Sequence, residues 1–144
     1  FLGQLPAGPQ YAVEVRNPAI LGTRYRELLT AHGAAHVYNH WTAMPPLSEQ
    51  HQRFEQTFTA PHVVIRLLTP LGLAYEKVVG RYKPYDRLVH PQPRMRSDTV
   101  ELVTQAVALG KSTYVLVNNR AEGCSPLTVQ ALVDAMNRAP PPPL

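Results

Sequence analysis

The sequence has one cysteine, Cys124. That excludes an internal disulfide framework and predicts a reducing, cytoplasmic setting. No apolar run approaches the ~20 residues needed to cross a bilayer, and no signal peptide stands at the start, so no membrane role is expected. HExxH, paired CxxC and any compact carboxylate cluster are missing, as are GxGxxG and a Walker-type phosphate loop. No metal and no cofactor is therefore expected from this chain. His32, His36 and His40 are spaced by four, but Gly33 and a strand-like segment intervene, so they do not share a helix face.

Proline, by contrast, is abundant: 15 residues, about twice the usual share. Pro45-Pro46 and Pro91-Pro93 mark loops, and the terminal PPPPL (140–144) reads as a disordered or polyproline tail. The remaining 1–139 suits one domain. The chain opens at Phe1 without an initiator methionine, as a piece of a longer protein would. A formal charge of +4 permits nucleic acid as a partner without demanding it.

The pattern along the chain is βα, four times. YAVEVR (11–16), AAHVYN (34–39), HVVIRLL (62–68) and TYVLVNN (113–119) read as strands. TRYRELLTAHG (23–33), SEQHQRFEQTF (48–58), SDTVELVTQAVALGK (97–111) and SPLTVQALVDAMNRA (125–139) read as helices. Thr23, Ser48, Ser97 and Ser125 are their N-cap candidates. Residues 69–96 read as one long irregular connection. Such alternation predicts an α/β fold with parallel strands and right-handed crossovers. Two architectures fit, a small doubly wound sheet or half of an eight-stranded (β/α) barrel.

In either, ligands gather at the carboxyl ends of the strands. Glu14 and Arg16 share one face of the first strand, because side chains alternate. A charged pair on an apolar strand needs pairing or solvation, which suits a barrel mouth; the two could also simply bond each other. Arg66 follows Val64 on the same face of the third strand. Asn118 shares the face of Leu116, and Asn119 begins a turn where asparagine tolerates unusual backbone angles. Cys124 precedes a helix N-terminus, but no histidine follows it closely, so a nucleophilic role is not expected.

The connection 69–96 holds Lys77, Arg81, Lys83, Arg87, Arg94 and Arg96 with Tyr75, Tyr82 and Tyr85. Cations interleaved with aromatics can hold phosphates, sugars or single-stranded nucleic acid. Arg81, Lys83, Tyr85 and Arg87 are its candidate contacts, and a nucleic-acid-binding or protein-interaction module is the alternative function. A solvated loop with its tyrosines packed on the rim is the plainer reading.

YAVEVRNPAIL, VVIRL, GRYKPYDRLVHPQPRMRSD and YVLVNNRAEGCSPLTVQAL together resemble the carboxyl-terminal half of the YecE-like proteins, a family labelled as a domain of unknown function. The resemblance spans residues 5–137. It implies a barrel of the triosephosphate-isomerase type, of which this chain supplies the last four βα units. Carried across, the rim positions are Glu14, Arg16, Arg66, Asn118, Asn119 and Gly123. Where the family has Arg-x-His-Gly, this chain has Arg66-Leu67-Leu68-Thr69. The family's amino-terminal half is absent, so that half or self-association is the expected remedy for open sheet edges. The expected function is enzyme-like binding of a small anion, phosphate included. Arg16 and Arg66 would hold it, Asn118 and Asn119 would orient it, and Glu14 would be the general acid or base.

Overall fold

The computed structural model describes residues 1–138, and over them strand and helix alternate as the pattern predicts. The expected tail at 140–144 lies outside the described residues. The strands are β1 (Ala12–Val13), β2 (Ala35–His40), β3 (His62–Leu67) and β4 (Ser112–Val117). All pairs are parallel, and the order along the sheet is β1-β2-β3-β4. That order has no reversal, so the switch point of a doubly wound sheet is missing among the described residues. Consecutive neighbours of this kind are what one arc of a barrel requires.

The helices are α1 (Thr23–Ala31), α2 (Leu47–Gln52), α3 (Tyr75–Tyr82), α4 (Pro93–Ala108) and α5 (Ser125–Arg138). One face of the sheet packs against helices. Tyr38 from β2 and Val63, Ile65 and Leu67 from β3 join Leu47, Leu102, Ala106 and Leu132 in one buried cluster. Val115 and Val117 of β4 pack against it. Burial of this apolar surface, at roughly 25 cal/mol per Å², drives the layered arrangement.

The opposite face carries the alternate residues. The register sets Val37 beside Val64 and Asn39 beside Arg66. It then sets Val64 beside Tyr114 and Arg66 beside Leu116. Tyr114 and Leu116 are 51% and 50% exposed. This face has an apolar floor near β4 and a polar upper end.

Several elements depart from expectation, each for a physical reason. β1 is two residues long rather than six. The Gln50 side chain takes the backbone of Asn39, accepting from its N–H at 3.3 Å and donating to its C=O at 2.8 Å, beyond the β1–β2 ladder. α2 stops at Gln52 instead of reaching 58, because Glu55 and Gln56 adopt positive φ. Residues 69–96 are not one irregular stretch. They contain α3, which buries Val78 and Tyr82 four residues apart, and the first turn of α4.

The caps also move. Thr23 and Ser125 stand inside their helices, and α4 begins at Pro93, four residues before Ser97. Ser48 lies within α2, where its N–H and hydroxyl both donate to the buried Asp98 carboxylate on α4, at 3.1 and 3.0 Å. A capping acceptor has thus come from another helix.

Candidate functional site at the carboxyl ends of the strands

At the upper end of the helix-free face, Glu14 sits between two arginines. Its Oε1 accepts from Arg16 Nε at 2.9 Å, and its Oε2 accepts from Arg66 Nη1. The Glu14 side chain is 15% exposed, against 50% for Arg16 and 37% for Arg66. Two formal positive charges therefore share one negative charge at a partly open site. The Arg16 guanidinium lies over the ring of Trp41, 4.4 Å from its centroid, which fixes its plane.

The adjacency of the strand ends explains the convergence. Glu14 stands one residue past β1 and reaches over β2 to Arg66 on β3. Between them Asn39 is fully buried; its Nδ2 donates to the Val15 carbonyl at 2.7 Å, while its Oδ1 has no partner among the described residues. The pairing of Glu14 with Arg16 read from the sequence is present, and Arg66 joins it.

The two asparagines do local work. Asn118 Oδ1 accepts from Arg120 N–H at 2.9 Å, and Asn118 N–H continues the ladder to Leu67. Asn119 Oδ1 accepts from Ser125 N–H at 2.8 Å and so caps α5. Neither amide contacts Glu14, Arg16 or Arg66 among the described residues. Where the family pattern has His-Gly, Leu68 and Thr69 are buried, and the Thr69 carbonyl accepts from His40 Nδ1 at 2.9 Å. The Thr69 hydroxyl bonds Thr42.

Sequence reasoning missed a second acid on this rim. Glu122 is fully buried and grips Arg96 with both oxygens, at 2.9–3.1 Å. It also accepts from the Gln92 N–H at the start of α4, where a helix N-terminus favours negative charge. Its backbone carbonyl accepts from Val89 and His90. Glu122 thereby fastens the 87–96 segment to the turn after β4. Glu122 is a second acid at this end and is committed to structure. The signal was an acid in NNRAEG facing a segment rich in arginine.

Of the candidate loop contacts, Arg81, Lys83 and Arg87 are exposed, and Tyr85 is half-buried with a φ of 69°. Arg87 pairs loosely with Asp86 at 3.6 Å. None of the four joins the Glu14 cluster among the described residues. Histidines do not assemble there either. His36 is buried on the helix side of β2, bonded to Gln50 and Tyr25, and burial lowers its pKa to about 4. No group of three histidine, cysteine or acidic side chains converges among the described residues. No described helix is long and apolar enough to cross a membrane.

These features define a parallel α/β protein with a charged cluster at the carboxyl ends of its strands. The chain belongs to the family described as protein of unknown function DUF72, whose model matches residues 1–143. No curated protein and no solved structure matches it.

Proposed function

We propose that the rim cluster binds a small anion, with Arg16 and Arg66 as its ligands. The observation that carries this reading is the shared carboxylate: Glu14 engages two guanidinium groups, each at least one-third exposed, and leaves a net positive charge. Each guanidinium has five N–H donors in a planar fork. Arg16 uses Nε and Arg66 uses Nη1 on Glu14. The rest suit a phosphate or carboxylate, which guanidinium meets in bidentate fashion.

Glu14 holds the two forks in place. An arriving anion first meets the donors that Glu14 leaves free and then competes with it for the two it holds. Once an arginine turns toward the ligand, one Glu14 oxygen is released, and that oxygen is placed to accept or give a proton as general base or acid. Trp41 restrains Arg16, and Asn118 would orient the ligand from the neighbouring strand end.

The test is calorimetric titration with inorganic phosphate. Arg66→Ala is expected to weaken binding at least tenfold. Glu14→Gln removes the competing charge and is expected to tighten phosphate while abolishing any proton-transfer activity. Unchanged affinity in Arg66→Ala would remove the basis of the reading.

A further inference from the structure

Two buried side-chain polar atoms have no hydrogen-bond partner among the described residues, Asn39 Oδ1 and His62 Nδ1. His62 opens β3, at the amino end of the sheet. Asn39 stands one residue before the end of β2, at the carboxyl end, where Glu14, Arg16 and Arg66 meet. A buried acceptor without a donor carries its full desolvation penalty, so such an atom needs a reason.

The amide cannot relieve the deficit by turning over. Asn39 Nδ2 donates to the Val15 carbonyl at 2.7 Å. The reverse orientation would set two acceptor oxygens against each other, so this contact fixes which end is which. The planar amide then sends Oδ1 away from Val15. Gln50 holds the backbone of the same residue through both its N–H and its C=O, which anchors the acceptor from behind.

The burial of Asn39 also has a cause at the rim. On the helix-free face Tyr114 and Leu116 are half-exposed, yet Asn39 is 0% exposed. β2 runs between β1 and β3, so the bridge from Glu14 to Arg66 passes across the strand that carries Asn39. Asn39 is also the register partner of Arg66. The cover over this oxygen thus includes the ion pair that an anion would pull apart.

We propose that Asn39 Oδ1 accepts a hydrogen bond from the bound anion itself, so that the rim selects an oxyanion keeping an acidic hydroxyl, with hydrogen phosphate the simplest case. This rests on the anion reading above and adds a specificity-determining residue to it. Arginine only donates, and its forks meet sulfate and phosphate alike. The Asn39 oxygen only accepts. It favours a P–OH and opposes a fully deprotonated oxygen set against it. When Arg66 turns from Glu14 to the anion, Oδ1 is uncovered and gains a donor, while Val15 keeps the amide oriented.

Calorimetric titration of the unmutated protein with phosphate and with sulfate, at pH 8 and constant ionic strength, tests the proposal. Both are then mainly tetrahedral dianions, and only phosphate carries a proton. Phosphate should bind at least about tenfold more tightly than sulfate, because only it pairs the buried acceptor. Asn39→Leu should collapse that ratio toward one. This variant also loses the Val15 contact, so Glu14→Ala supplies a second readout with Asn39 intact. It removes the other acceptor in the cluster, and the preference for phosphate should persist. Equal affinities in the unmutated protein, a preference that survives in folded Asn39→Leu, or one that vanishes in Glu14→Ala would overturn the proposal and leave the arginines as anion ligands. Binding of neither anion to the unmutated protein would remove the anion reading and this proposal together.

Discussion

Gly123 lies against the backbone of Arg87: a Cβ on Gly123 would stand 2.5 Å from the Arg87 carbonyl oxygen. It would also meet Val89 N at 2.8 Å, and Gly123 itself holds a φ of +121°. Only glycine combines that backbone with that approach. The close seam is what lets the 87–96 segment reach Glu122. Gly123→Ala should destabilise the fold by at least about 2 kcal/mol, since strained backbone alone costs of order 1–3 kcal/mol. Urea unfolding measures it, and an unchanged midpoint would contradict the account.

Glu122 should be among the costliest side chains to neutralise. Removing one member of a buried ion pair typically costs about 3–5 kcal/mol. Arg96 keeps some solvent, with 23% of its side chain exposed, so Glu122→Gln should fall near the lower end, at about 3 kcal/mol. A loss under about 1 kcal/mol would mean the pair behaves as a surface bridge.

Acid should weaken the fold through His36. Its pKa falls from the ordinary 6.5 to about 4 because burial disfavours the imidazolium. The unfolded chain therefore binds a proton that the folded chain refuses between those values. Stability is full above pH 6.5 and declines as the pH drops toward 4, by up to about 3 kcal/mol at about 1.4 kcal/mol per unit. His40 and His51 are lowered too, again by burial, and act in the same direction. Urea midpoints at pH 7.5 and pH 5 should differ, and His36→Gln should flatten the dependence. Equal midpoints in the parent protein would refute it.

The basic segment should be dispensable for the rim. Replacing Arg81, Lys83 and Arg87 together by alanine should leave phosphate affinity within about twofold, because exposed charges at a distance are screened at physiological salt. A steep loss of phosphate binding would assign the anion to this segment instead. Tight, salt-sensitive binding of a single-stranded oligonucleotide that the triple substitution abolishes would favour the nucleic-acid function.

The layered fold was legible because strand and helix periods are local properties. HVVIRL and TYVLV signal strands without help from the rest of the chain. Helix starts were harder, because their acceptors come from elsewhere. Asp98 serves α2 from α4, Glu122 serves α4 from the turn after β4, and Asn119 serves α5 across a turn. A search for serine or threonine immediately before an apolar run cannot find a cap that tertiary structure supplies. The rim shows the same division. Glu14 and Arg16 were visible as neighbours on one strand, and Arg66 as a charge on another. Trp41 under Arg16 depends on how the chain turns after β2, which no spacing rule encodes.

Trp41 is the only tryptophan, and it lies 4.4 Å from the Arg16 guanidinium. Its emission therefore reports directly on the proposed anion site. Titrating inorganic phosphate at constant ionic strength should give a saturable change in Trp41 fluorescence. The change should disappear in Arg16→Ala and shift to at least tenfold higher phosphate in Arg66→Ala. A flat response, or one identical in all three proteins, would contradict the claim that these two arginines hold an anion.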